Sequence, residues 1–310
     1  MVRVAKSDKS ETIAAGPIAA LLVVQLTFGS LPVIGKVVLA VLPAVALVGF
    51  RVGVTALVLF VVQFYRGRVW LQHSGDYARL AVLSLFGVVF NQYLFIGGLS
   101  LTKAANTSLL AVTIPIFTLI ISAAAGTDRL RRFTVIGVVL AAAGIVILID
   151  PRAASFTSQT TIGDLMIVVN SFSYGIYVAT SKEVIMRNGP FRSMMWVFIF
   201  ASVICVPIGA VSFAGVDTTG MDTTIWLLLV YIATVATAVP YFFNAWALAR
   251  VSPSTVAVFI YLQPLIGFVL AVIFLNEKID FRFIIAALLV FAGVYLTTRM
   301  RTASGVHVTG

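Results

Sequence analysis

Hydrogen-bonding side chains are sparse in this chain, and several stand well inside long apolar runs. Gln25, Asn91, Asn106, Asn170, Asn244 and Gln263 are amides, each offering donors and an acceptor. Tyr93, Tyr174, Tyr177, Tyr241 and Tyr261 add hydroxyls on flat apolar rings, and Phe28 adds a ring alone. Amides and phenols are neutral near pH 7 and seldom serve as nucleophile or general base. The chemistry they suit is recognition of a small amphipathic or zwitterionic solute rather than a bare ion. For each residue the competing use is an interhelical hydrogen bond, worth on average about 0.6 kcal/mol.

Enzyme chemistry finds no footing. The two histidines, His73 and His307, fall outside the apolar runs, so neither an HExxH zinc site nor a Ser–His pair can form within them. The lone Cys205 allows no disulfide within the chain and no cysteine-based zinc site. Gly29-Ser-Leu-Pro-Val-Ile-Gly35-Lys36 resembles a phosphate loop only superficially. It has five residues between the glycines instead of four, and Val37 stands where Ser or Thr is needed. No cofactor, nucleotide or metal is expected.

Three further residues carry mechanical or electrostatic possibilities. Pro115 and Pro264 each lie mid-run, where proline removes a backbone donor and clashes with the carbonyl four residues earlier, at Ala111 and Ile260. Such a break in lipid calls for a cavity or a replacement partner, so the pair is expected to mark a cavity wall or a hinge. Arg51 is the only basic residue well inside an apolar run, a candidate for a substrate or gating role, with snorkelling to the headgroups as the alternative. The acidic residues all lie at or near loops, the deepest being Asp164. Antiport through a buried carboxylate is therefore disfavoured, and facilitated or exchange transport fits better.

The elements that position these residues follow from composition. Of 310 residues 61% are hydrophobic and 10% charged, with a mean hydropathy of +1.09, where a soluble domain carries about 25% charge. Lipid is the solvent this chain requires. About 20 apolar residues span a bilayer, and ten segments meet that test: 17–39, 43–65, 77–98, 103–125, 133–149, 162–184, 193–214, 223–247, 253–275 and 281–298. They are referred to as spans 1 to 10. Helix is the conformation that satisfies the backbone of an open segment in lipid. The fold expected is an all-α integral membrane protein of ten transmembrane helices.

The net charge of +10 does not indicate nucleic acid, because Lys and Arg cluster between the spans. With the N-terminus inside, fifteen basic residues face the cytoplasm and five (Lys36, Lys103, Arg152, Lys278 and Arg282) face out. That bias places both termini in the cytoplasm of a cell (inner or plasma) membrane protein. Residues 1–16 and 301–310 are then cytoplasmic tails.

The chain also repeats. A shift of 149 carries Pro115 onto Pro264, Asp128 onto Glu277, Arg129 onto Lys278 and Gly144 onto Gly293; a shift of 146 carries Phe28 onto Tyr174, Gly29 onto Gly175 and Lys36 onto Lys182. Residues 17–149 and 162–300 are read as two five-helix repeats joined by a linker at 150–161. Five is odd, so the second repeat enters from the opposite side, the inverted arrangement of secondary transporters. In spans 5 and 10 small residues share one face (Gly137, Ala141 and Gly144; Ala286 and Gly293), which reads as scaffold packing or a homodimer surface.

Ala249-Arg-Val-Ser-Pro-Ser-Thr-Val-Ala, followed by Tyr261-Leu-Gln-Pro264 and Leu275-Asn-Glu277-Lys278, resembles a segment of the EamA family of the drug/metabolite transporter superfamily. The first half is similar more loosely, at Lys103-Ala-Ala-Asn-Thr-Ser, Pro115 and Asp128, and Phe50-Arg51 resembles an Arg–Phe pair of the family's second helix in reversed order. Thr127-Asp128 stands in place of the family's Gly-Glu, and Asn276 in place of its second-half glycine. The resemblance implies export of amino acids, other metabolites or drugs by alternating access, through a cavity lined by helices 1, 3, 4, 6, 8 and 9 and without metal or nucleotide. The partners expected are a small-molecule substrate and the lipid bilayer, and the main rivals are a multidrug extruder and a non-transporting scaffold or receptor.

Overall fold

The structure, a computed structural model, describes residues 15–102, 104–128, 131–149, 160–218, 221–266, 269 and 281–299. Most of both tails, residues 150–159 of the 150–161 linker and the Asn276-Glu277-Lys278 motif lie outside the described residues. The helices are α1 (Ala15–Leu39), α2 (Ala44–Tyr65), α3 (Gly75–Leu101), α4 (Ala104–Leu110), α5 (Thr113–Ala124) and α6 (Arg132–Ile149). They continue as α7 (Thr161–Thr180), α8 (Lys182–Asn188), α9 (Pro190–Ala214), α10 (Thr223–Leu248), α11 (Pro253–Ile266) and α12 (Phe281–Arg299). No strand occurs among the described residues.

Seven of these helices are long and apolar enough to cross a membrane, and three shorter apolar ones coincide with spans 4, 5 and 9. Span 4 is divided into α4 and α5 by a turn at Ala111 and Val112. The cause is Pro115. It cannot donate to the Ala111 carbonyl, which instead accepts the amide of Ile114 at 3.0 Å in a tighter turn. Pro264 acts likewise in α11, where Phe259–Tyr261 tightens to a 3₁₀ turn. Span 6 also ends early, at Thr180, and the short α8 follows it.

The distribution of burial is that of a protein facing lipid. Arg51 is 0% exposed whereas Val211, on the outer face of α9, is 80% exposed. Gln25, Thr55, Gln92, Asn106 and Thr237 are buried, while Leu57, Phe64, Ile120 and Leu288 point outward. Polar groups sit inside because only other protein groups can satisfy them there.

Several close crossings join the first five spans to the last five, and two of them are the most extensive. In the first, α2 lies against α9, and a Cβ on Gly49 would stand 2.6 Å from Gly209 Cα and 2.7 Å from the Cys205 carbonyl oxygen. Gly49→Ala is expected to cost about 1–3 kcal/mol of stability, the range for overpacking a filled interface. Thermal unfolding in detergent checks this, and an unchanged midpoint would show that the contact is looser than described.

In the second crossing, α6 packs against α12 with Gly137 at Gly293 and Gly144 at Ala286. Numbers rise along one helix as they fall along the other, so the pair is antiparallel. The small-residue stripe expected as scaffold or dimer surface is thus filled by packing within the chain. On one face of the molecule, polar contacts tie the α2–α3 loop and the start of α3 to α8. Asp76 is held by Arg187 and by Asn188 Nδ2 at 2.7 Å, and Arg79 pairs with Glu183 at 2.8 Å. The Arg79 guanidinium beside it lowers the pKa of Glu183.

Candidate functional site

A cavity opens among α1, α2, α3, α5, α7, α10 and α11, with about 70 Å³ of space for the centre of a water molecule. Those helices are spans 1, 3, 4, 6, 8 and 9, joined by span 2 through the single residue Arg51. From α1 come Val24, Gln25, Phe28 and Leu31; from α3, Asn91, Gln92 and Phe95. Ile114 closes one wall from α5, Asn170 and Tyr174 line it from α7, Tyr241 and Asn244 from α10, and Ile260 and Gln263 from α11. No Asp, Glu or His is among these residues.

The polar groups meet in bridges between helices. Gln263 Nε2 donates to Gln25 Oε1 at 2.8 Å, and Asn91 Nδ2 donates to Asn170 Oδ1 at 2.7 Å. Asn244 Nδ2 donates to the Tyr174 hydroxyl at 3.1 Å. The Tyr241 hydroxyl is the hub: it accepts from Gln92 Nε2 at 2.9 Å and lies 2.8 Å from the Gly87 carbonyl and 3.1 Å from Asn91 Oδ1. Phe28 and Phe198 stand edge-on to the Tyr241 ring, at centroid distances of 5.7 and 4.9 Å. The result is a wall of neutral hydrogen-bonding groups backed by rings, able to bind a small solute with both polar and apolar parts.

Two local distortions make this geometry. α3 widens to a π-turn at Leu85–Phe90 and α10 at Thr234–Ala238. Such turns release backbone carbonyls, and they recur at functional sites. The Gly87 carbonyl lies within reach of the Tyr241 hydroxyl, and the Phe86 carbonyl accepts from Ser173 Oγ at 2.9 Å. In α10 the Ala233 carbonyl accepts from Thr55 Oγ1 at 2.7 Å, and Thr237 turns its hydroxyl onto the Ile232 carbonyl at 2.6 Å. That leaves the lone pairs of Thr237 Oγ1 to Arg51, which approaches with Nε at 3.0 Å and Nη2 at 2.7 Å. Sequence reasoning named neither π-turn nor Thr237, and no Gly or Pro pattern marks both turns.

Four residues expected at the cavity lie elsewhere. Tyr93 is two positions after Asn91, about 200° around the helix, and so turns to Cys205 of α9. Asn106 serves a helix end instead, donating with Thr102 Oγ1 to the buried Asp164 at 3.0 and 2.6 Å. Tyr177 fills the space left by Gly87, where a Cβ would strike its ring, and its hydroxyl meets Met194 Sδ at 3.2 Å. Tyr261 donates to the Val112 carbonyl at 3.0 Å, in the turn that precedes Pro115. Neither Pro115 nor Pro264 is itself in the wall; each supports a neighbour that is, Ile114 and Gln263. Asp128, the acidic residue of the first-half motif, accepts from Ser254 at the start of α11. Among the described residues no three His, Cys, Asp or Glu side chains gather in a metal-binding group.

The sequence profile of the EamA-like transporter family matches residues 15–150 and 161–299. An uncharacterized transporter of Archaeoglobus fulgidus is 29% identical over 227 residues, 73% of this chain and 77% of the relative. A probable amino-acid metabolite efflux pump of Salmonella typhimurium is 28% identical over 190 residues, 58% of this chain and 62% of that protein. A solved crystal structure sharing 19% identity superposes with a TM-score of 0.76, covering 94% of this chain and 99% of its own, which shows a common fold. The chain is a multi-pass membrane protein and belongs to the EamA-like transporter family.

Proposed function

We propose that this protein exports small amphipathic metabolites, amino acids or close relatives, by alternating access between two inverted five-helix repeats. Its ten spans lie in the cell membrane with both termini in the cytoplasm. The observation that carries this reading is the make-up of the cavity wall. Val24 and Asn170, Phe28 and Tyr174, Gln92 and Tyr241, Phe95 and Asn244, and Ile114 and Gln263 are all wall residues. Each pair is related by the same shifts, 146 or 149, that relate the two halves of the sequence. A site at the interface of inverted repeats is the architecture of secondary transporters.

Further contacts support it. The π-turns begin 149 residues apart, at Leu85 and Thr234, and Gln92 meets Tyr241 across the same interval. The contacts Gly137–Gly293 and Gly144–Ala286 exchange under that shift, which suits a two-fold axis between antiparallel α6 and α12. Lys36 Nζ donates to the Thr102 carbonyl at 3.0 Å, and its counterpart Lys182 donates to the Val251 carbonyl, the counterpart of Thr102, at 2.7 Å. In an inverted repeat those matched latches lie toward opposite membrane faces, where two gates belong. The Salmonella relative, a probable amino-acid metabolite efflux pump, favours amino-acid metabolites as cargo. A homodimer at α6 and α12 would use their outward faces, which carry Val139 and Leu288.

The test is solute flux in reconstituted vesicles. Flux should be saturable, and Asn91→Ala or Gln263→Ala should lower it about tenfold or more, since each strips one partner from an amide bridge in the wall. Unchanged flux in both variants would remove the cavity from the transport path.

A further inference from the structure

The cavity wall carries one full charge, and among the described residues no carboxylate pairs with it. Arg51 is completely buried and stays protonated in any protein environment. One edge of its guanidinium is clamped: Nε and Nη2 both meet Thr237 Oγ1, and Nη2 lies 3.5 Å from the Ala236 carbonyl. Nη1 is buried and meets no hydrogen-bond acceptor among the described residues. The other residues of the wall are amides, phenols and apolar side chains, without a carboxylate. A buried guanidinium left this way is costly, and the partner that offsets its charge at the one open nitrogen is an anionic oxygen, as a carboxylate supplies.

Resting on the transport reading above, we propose that the cargo is an organic anion bearing a carboxylate, which docks on Arg51 Nη1. Its apolar body lies against Phe28, Leu31, Phe95, Ile114 and Ile260. Charge balance then ranks solutes. An anion neutralises the site. A zwitterion adds an ammonium group that finds only amide and phenol oxygens in the wall. A cation meets Arg51 with like charge and is rejected. The clamp on Thr237 explains why the charge is fixed instead of mobile. It also places the substrate anchor on the π-turn of α10, so binding at Arg51 bears directly on the helix that carries Tyr241 and Asn244.

The proposal separates anionic, neutral, zwitterionic and cationic solutes of matched shape. The purified protein in detergent is titrated with isocaproate, phenylacetate and benzoate, each paired with its own primary amide, and with leucine and isoamylamine, following the thermal shift. Each carboxylate is expected to bind on the order of tenfold or more tightly than its amide, the scale of a charge-assisted over a neutral hydrogen bond. Leucine should fall between, and isoamylamine should not bind. Arg51→Lys should keep the preference for acid over amide, and Arg51→Gln should erase it. If Arg51→Gln fails to fold, the acid-to-amide ratio in the unaltered protein still decides. Equal binding of acid and amide, tighter binding of isoamylamine, or no binding of any carboxylate overturns the anion site. Vesicle flux of neutral or zwitterionic solutes in that case would leave the transport reading standing. Tight carboxylate binding with no flux of any solute would do the reverse.

Discussion

Tyr241→Ala is expected to reduce solute flux in vesicles about a hundredfold, an interaction loss of about 2.7 kcal/mol from the cavity at 1.36 kcal/mol per tenfold. The hydroxyl meets three groups of α3, namely Gln92, Asn91 and the Gly87 carbonyl freed by the π-turn. The ring stands between Phe28 of α1 and Phe198 of α9. Removing the side chain unpins three helices at once and leaves Gly87 with an unsatisfied carbonyl. Truncating a large buried ring also costs about 3–5 kcal/mol of stability, so the variant must be compared with Tyr241→Phe. That change keeps the ring and removes only the hydroxyl. It should melt within about 1–2 kcal/mol of the parent yet still lose flux about tenfold. A folded Tyr241→Ala protein with undiminished flux would show that the hub is scaffold alone.

Gly293→Leu should have the largest effect on folding. A Cβ there would collide with the Gly137 carbonyl oxygen and would stand 2.9 Å from Ala141 N. These are backbone atoms, so no rotamer change relieves the clash, and α12 must move away from α6. Overpacking of this kind costs about 1–3 kcal/mol where side chains can yield, and more where they cannot. The expected result is loss of the monodisperse species on size exclusion in detergent. The matching change on the partner helix, Gly137→Leu, should behave the same way, because a Cβ there would meet Thr297 and the Gly293 carbonyl. Wild-type yield and melting for both would contradict the packing of the two helices.

Much of the fold is legible in the residues because lipid is a demanding solvent. Backbone groups must bond internally, so an apolar run of about 20 residues commits to helix whatever its neighbours do. The breaks at Ala111–Val112 and Phe259–Tyr261 were equally legible, since Pro115 and Pro264 announce them. The π-turns were not. Leu85–Phe90 and Thr234–Ala238 contain ordinary apolar and small residues, and their wider winding is set by tertiary contacts from Tyr241, Thr55 and Arg51.

The site was readable by helix but only partly by residue. Polar content marks spans 1, 3, 4, 6, 8 and 9, and each reaches the one cavity, though span 4 does so through the apolar Ile114 of α5 and not through its polar residues on α4. Which face of each helix points inward needs more. Asn91 and Phe95, one turn apart, line the cavity, while Tyr93 between them turns to Cys205. That separation follows from helical angles alone and could have been drawn from spacing. Asn106 could not, because its use depends on Asp164 arriving from the other half. The small-residue stripe of α6 raised a different ambiguity. Gly137, Ala141 and Gly144 look alike whether they receive a second copy of the chain or another helix of the same chain. Here they receive α12.

The reading as a whole turns on whether the two halves enter the membrane in opposite senses. Arg68, in the loop after α2, and Asp217, in the loop after α9, are repeat-matched at a shift of 149, and both are exposed. Single cysteines at these two positions, in a Cys205→Ala background, can be labelled in sealed cells with a membrane-impermeant maleimide. Labelling of Asp217→Cys from outside and of Arg68→Cys only after the membrane is opened is the predicted result. Labelling of both from the same side would mean that the repeats are parallel, and the two-gate mechanism would fall with the inverted symmetry.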